Sequence, residues 1–259
     1  MPGYKRERFC FMMLGMRCVP AALVCASFAA AQQALPAVRE PHHHTIYEDS
    51  RVRILNVQIE PRGSTLLHRH DTDYVWIALG DSKLVDTVPG RPETHIQAPD
   101  ASLHFSRGGF EHVARNDSDA AFHDVMVDLL QPQSAPRNVC GEILPGEYLH
   151  CHEPGSEWLG ANLQIEFETD QTRIGILQIA PNATLAVPPA DVPPLLIALE
   201  GTEAEATSRV NGTPAGSGSR RSLKAVDVLR SPADHISEVR NTGKTTARFL
   251  IVEFGGAGE

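Results

Sequence analysis

The sequence predicts an all-β protein made of two similar halves, and three observations carry that expectation. First, the text of residues 47–80 returns at 167–200 with ten identities: Glu48/Glu168, Arg53/Arg173, Ile54/Ile174, Gln58/Gln178, Ile59/Ile179, Pro61/Pro181, Asp71/Asp191 and Ile77-Ala78-Leu79 over Ile197-Ala198-Leu199. Average residue usage gives about two by chance. Second, apolar residues alternate with polar ones in Val52, Ile54 and again in Val57, Ile59, the period of a sheet with a buried face. Third, turn text is frequent, at Pro61-Arg-Gly63, Gly80-Asp-Ser82 and Pro89-Gly90, and no long helical periodicity follows residue 40. Short strands and frequent turns, repeated twice, point to sandwiches or barrels.

Taken in order, the chain opens on a segment to be set aside. Lys5, Arg6 and Arg8 precede an apolar run from about Phe9 to Phe28, and Ala29-Ala30-Ala31 before Gln32 suits cleavage by a signal peptidase. Residues 1–31 therefore read as a signal peptide, which predicts a periplasmic or secreted protein. A membrane anchor is the competing reading, and Arg17 and Pro20 leave the run short for a span. Cys25 fits a lipid-anchor site poorly, since Val24 stands where a small residue is wanted. Removal of the segment moves the net charge from −9 to −12, which argues against nucleic acid as a partner.

The first barrel is expected over 40–132, a connector over 133–160 and the second barrel over 161–255. Cleavage removes Cys10, Cys18 and Cys25 and leaves the even pair Cys140 and Cys151. In an exported protein that pair reads as a disulfide. The alternative is a soft-donor metal cluster of Cys140 with His150-Cys151-His152, whose spacing matches no known zinc module. A second anchor aligns Gly109-x-x-His112-x-x-x-Asn116 with Asp234-x-x-Ser237-x-x-x-Asn241, at an offset of 125 instead of 120. The five extra residues fit the loop Asn211-Gly-Thr-Pro-Ala-Gly-Ser-Gly-Ser219. In this register His68 faces Pro188, His70 faces Ala190 and His112 faces Ser237, so one copy can hold a metal and the other cannot in the same way. Pro188-Pro189 and Pro193-Pro194 predict an edge or a broken strand in the second copy.

The residues now carry a family resemblance. Gly63-x4-His68-x-His70-x3-Tyr74-x5-Gly80 resembles the first cupin motif, and Arg107-x-Gly109-x2-His112-x3-Asn116 resembles the second. The resemblance covers both repeats and implies a bicupin, two jelly-roll (double-stranded β-helix) barrels in tandem. It also implies a divalent metal on His68, His70 and His112, with nothing in the second copy. Tyr74 replaces the usual glutamate ligand, and Arg107 the usual proline.

Strand geometry supports the same site. Residues two apart share a face, so His68 and His70 look inward, as Tyr74 and Trp76 should, while Asp71 and Asp73 should point away. A third imidazole from His112 completes a facial triad with open positions. Three neutral imidazoles leave the ion its full charge, which favours a small, anionic ligand. Imidazole suits zinc, copper, iron and nickel alike, and manganese stays among the candidates. Tyr74 is a candidate proton donor, weak ligand or wall, and Arg107 a candidate anion guide or a plain surface arginine. His42-His43-His44 reads as a solvated terminus, and His104 and His123 as candidate outer partners of the ligands. His235 beside Asp234 reads as a surface group. Asn116, Asn182 and Asn211 head glycosylation-like triplets. Outward apolar residues such as Ile77 and Leu79 suggest sheet-on-sheet packing or a homodimer face. Function is thus expected among three classes: a metal-binding protein for a small molecule, a metal-dependent dioxygenase or isomerase, or a metal-free sugar- or partner-binding module.

Overall fold

In the strand Val52–Ile59, Leu55, Val57 and Ile59 point into one apolar cluster while Val52 and Ile54 point into another. That double use of alternation organises the whole chain. The protein is described by a computed structural model, covering residues 33–151, 153–187, 192–210, 213–214, 219–229 and 235–255. Residues 1–32 with Cys10, Cys18 and Cys25, His152, the 188–191 stretch, Asn211 and Asp234 lie outside the described residues. Residues Gln33–Glu259 form one unit. Among the described residues there is no α-helix, and no helix long and apolar enough to cross a membrane.

Each half is a jelly-roll barrel of two facing sheets. In the first, one sheet runs in the order Leu35–Pro36, His68–Arg69, Glu111–Asn116, Ser82–Thr87, Thr94–Ala98. Its partner runs Val139–Leu144, Glu147–His150, Leu103–Ser106, Asp73–Ala78, Phe122–Leu129, Val52–Ile59, His43–Glu48. The second half repeats the scheme: Thr172–Ile179 pairs with Ala247–Phe254 as Val52–Ile59 pairs with Phe122–Leu129. Asn116 and Asn241 occupy equivalent corners. The Asn116 amide donates to the carbonyls of Ile59 and Ala120, and the Asn241 amide to those of Ile179 and Thr245. Asn116 is fully buried, which rules out a glycan there.

Outward positions of the two barrels meet. Val75, Ile77, Phe105, Val125 and Val127 of the first share one buried cluster with Phe167, Ile174, Ile197, Leu250 and Val252 of the second, and Leu79 packs against it. The apolar outer face that suggested packing or a homodimer is therefore covered within a single chain. Inside the second barrel the lining is apolar: Phe249 and Ile251 stand where the first has Asp124 and Met126. Among the described residues the strand Thr184–Ala186 lies at the edge of its sheet, paired with His235–Asn241.

The connector is more than a link. Its hairpin, Val139–Leu144 and Glu147–His150, adds two strands to the first barrel, with Glu147 opposite Ser106 and Tyr148 opposite Phe105. Cys140 and Cys151 are bonded across its base, their Cα atoms 4.9 Å apart. His150 pairs instead with the buried Glu166 at 2.8 Å. A cross-link over a separation of 11 residues restricts the unfolded chain by about 3 kcal/mol. Replacing both cysteines by serine should lower stability by about that amount in chemical denaturation, and an unchanged midpoint would contradict this.

Candidate metal centre

Strand register brings the predicted histidines together. His68 stands directly opposite His112 in the antiparallel pairing of His68–Arg69 with Glu111–Asn116, so the two rings share the inner face. Their centroids lie 4.4 Å apart. His70 follows on the same side, its ring 5.0 Å from that of His68 and 5.4 Å from that of His112. The loop that carries His112 is fixed against the loop that carries His70, because the Gly109 N–H donates to the His70 carbonyl at 2.6 Å. Gly108 sits at φ 61° against the carbonyl of Thr72, where any Cβ would collide.

A fourth imidazole arrives from the facing sheet. His43, which the sequence reading placed in a solvated terminus, is buried, with its ring 4.8 Å from His68 and 5.6 Å from His70. Possible ligand atoms of His43, His68 and His70 all lie within 4.8 Å of one another. Spacing logic could not find His43, because it lies 25 positions before His68.

Partners behind the rings fix their orientation. His68 Nδ1 donates to the Leu66 carbonyl at 2.9 Å, which leaves the Nε2 lone pair facing His70 Nε2 at 3.2 Å. Two nitrogens each about 2.0–2.1 Å from one cation are separated by roughly 3.0–3.4 Å, so this spacing fits a shared ion. His43 Nδ1 meets Glu40 Oε2 at 2.7 Å, and the buried Glu40 carboxylate also accepts the N–H of Leu66 at 3.0 Å. Burial opposes the charge on Glu40, but hydrogen bonds from His43, His42 and Leu66 prevail and hold it below the usual carboxylate range. A carboxylate behind a histidine sets the tautomer and raises its basicity toward a metal.

Burial, aided by neighbouring imidazoles, lowers His68 to about 2 and His70 well below its ordinary value, so both are neutral donors. His43 is lowered too, chiefly by burial. His112 differs: burial pulls it down, but Asp86, whose Oδ2 lies 3.4 Å from its Nδ1, reverses the direction. Its Nε2 is buried with no hydrogen-bond partner, a donor available to an ion.

The four rings line a cavity of about 40 Å³, walled by Val57, Leu84, Phe122 and Met126. Tyr74 is a wall: its ring stacks on His70 at 4.1 Å, and its hydroxyl bonds to Ser106. Burial drives its pKa well above 10, so it is not an anionic ligand. Arg107 is turned away from any anion, paired with Asp73 at 3.0 Å and with the Gln133 carbonyl at 3.1 Å. His104 stacks on Trp76 at 3.8 Å, and burial lowers it to about 3. His123 bonds to Asn56 at 2.7 Å and does not line the cavity. Ser237, the counterpart of His112, donates to the Thr207 carbonyl.

The connector hairpin supplies one group the sequence reading missed. Glu147 enters the cavity beside Trp76 and His104, with Oε1 3.6 Å from His104 Nδ1. Burial first, then the charge on Asp86, push its carboxyl up to about 8. The folded protein therefore holds this proton more tightly than the unfolded chain. Stability of the metal-free protein should fall as pH rises from about 4.5 to about 8 and level off beyond. Glu147→Gln should remove that fall, leaving the variant more stable than wild type at pH 8 and little different from it at pH 4.5. Chemical denaturation at the two pH values checks this, and parallel curves would refute it.

No family model matches the sequence, and no curated protein matches it. Solved structures do resemble the fold. AerE from Microcystis aeruginosa superposes with a TM-score of 0.57 at 9% identity, covering 83% of this chain and 98% of that one. A Bacillus subtilis oxalate decarboxylase studied for its Mn(II) centers gives 0.57 at 11% identity, over 87% of this chain and 78% of that one. An oxalate decarboxylase studied for its substrate binding mode gives 0.57 at 12%, over 84% and 73%. These neighbours are cupin-fold proteins, and at such identities the likeness is one of architecture: the fold of this chain is the cupin fold.

Proposed function

We propose that this is an exported metal-binding protein of two cupin barrels, whose first barrel holds one divalent cation and, on it, a small anionic molecule. His68 and His70 form the core of the site, and His43 and His112 stand ready to complete it. The observation that carries the reading is the 3.2 Å approach of two buried imidazole nitrogens, one with its proton committed elsewhere. An all-imidazole donor set would leave a dication its charge, and with it the power to polarise a bound anion or water. The apolar lining of the second barrel supports a packing role for it.

Elemental analysis of the protein purified from its native compartment tests the proposal. One equivalent of zinc, iron, copper, nickel or manganese per chain is expected, and a metal-free protein that takes up none on reconstitution would refute it. The buried acid Glu147 favours a second reading, a metal-dependent dioxygenase or isomerase. Oxygen uptake with diketones, phenolic acids or thiols after iron loading separates it from simple binding.

A further inference from the structure

His43 lies outside both histidine-bearing motifs and is delivered to the site by the segment that precedes it. Within residues 33–43 the buried side chains are Ala37, Glu40 and His43, spaced three apart. Two of the three are polar. The buried apolar group is a single methyl, while Val38 is exposed. A segment with so little buried apolar surface opens locally at low cost, so what holds it down is polar.

Those polar contacts converge on Glu40. Its carboxylate accepts the His42 N–H at 2.8 Å, the His43 Nδ1–H at 2.7 Å and the Leu66 N–H at 3.0 Å. Leu35–Pro36 runs parallel to His68–Arg69, and the Leu35 N–H donates to the Leu67 carbonyl at 3.0 Å. Residues 35–43 are thus clasped onto the stretch from Leu66 to His70, which carries two of the site's rings. Because His43 Nδ1 donates to Glu40, Nε2 is the nitrogen left for an ion.

Ring spacing agrees. Imidazoles on one cation, with nitrogens about 2.0–2.1 Å from it and roughly 90–120° between them, place their centroids roughly 4.4–5.6 Å apart. His43 stands 4.8 Å from His68 and 5.6 Å from His70, alongside spacings of 5.0, 4.4 and 5.4 Å among His68, His70 and His112. Tyr74, which replaces the carboxylate of the first motif, stacks on His70 with its hydroxyl bonded to Ser106. It leaves the fourth position to another group.

Resting on the metal reading above, we propose that His43 is a fourth imidazole ligand and that the ion locks residues 35–43 as a clasp on the site. Metal on Nε2 draws electron density from the ring, so Nδ1–H becomes a stronger donor to Glu40, and Glu40 holds the Leu66 N–H and with it the clasp. The coupling is reciprocal: by whatever factor the Glu40 contact strengthens the ion, the ion strengthens the contact. A carboxylate behind a ligating histidine is worth about 10–100-fold in metal affinity. The clasp should therefore be held about 10–100-fold more tightly when the ion is bound.

Amide hydrogen exchange on the full mature chain, with zinc and with chelator, tests this. In wild type, zinc should slow exchange of the Leu35 and Leu66 amides by about tenfold or more. His43→Ala should still take up zinc through His68, His70 and His112, about tenfold or more weaker, and its clasp amides should exchange at the same rate with zinc as without. With cadmium in place of zinc and the histidine nitrogens isotopically labelled, NMR should show a scalar coupling from the ion to His43 Nε2. Zinc binding that leaves both amides unaffected in wild type overturns the proposal, as does equal slowing in His43→Ala. Bound cadmium with no coupling to His43 overturns it too, and both wild-type readouts stand even if His43→Ala does not fold. A wild type that takes up neither metal overturns the metal reading and this inference together.

Discussion

His68→Ala should abolish stoichiometric metal binding and, with it, the thermal stabilisation that metal confers. His68 is the ring around which the others are arranged: it faces His112 in strand register and approaches His70 to 3.2 Å. Its lone pair is directed by a bond to the Leu66 carbonyl, so no rotamer change of a neighbour can replace it. A ligand that binds only the folded chain stabilises it by about 4.1 kcal/mol at a thousand times its dissociation constant. For a chain of this size that is a rise in Tm of about 8–16 °C. Wild type should show it on titration with zinc and His68→Ala should not, in scanning calorimetry with metal and with chelator. Glu40→Gln should fall between them, losing about 10–100-fold in affinity, because the amide still accepts from His43 but carries no charge. A zinc-induced shift that survives in His68→Ala would place the metal elsewhere.

Why so much of this was legible, and some not, follows from where each signal lives. Alternation and repetition are local, so the β class, the two halves and the pairing of His68 and His70 could be read directly. His112 was legible only through the resemblance of Gly109-x2-His112-x3-Asn116 to a known motif, since it lies 42 positions beyond His70. His43 and Glu147 were not, because each is brought in by pairing with a strand outside its own motif: His43 by Val57, Glu147 by Ser106. Neither has a counterpart in the repeat to mark it. Glu40 stayed hidden for a related reason. Its importance lies in what it accepts, the protons of His42, His43 and Leu66, and acceptors leave no periodic trace.

Phe167→Ala should cost about 3–5 kcal/mol of stability while leaving metal stoichiometry unchanged. Phe167 is 1% exposed and stacks on Phe105 at 4.5 Å across the junction of the barrels. The same strands carry both faces: Leu103–Ser106 gives Phe105 to the junction and His104 to the site side. A cavity at the junction therefore removes apolar contact from the shared outer face without touching the inner one. Against a typical total of about 5–15 kcal/mol, the loss is large enough to measure by urea denaturation. Phe105→Ala should cost a similar amount, and the double variant should fall short of the sum by about 0.5–1.5 kcal/mol, the share owed to the ring pair itself. Strict additivity would mean that the rings do not act as a pair. Loss of metal with intact folding in Phe167→Ala would mean that the junction positions the histidines, and that the second barrel shapes the site instead of only supporting it.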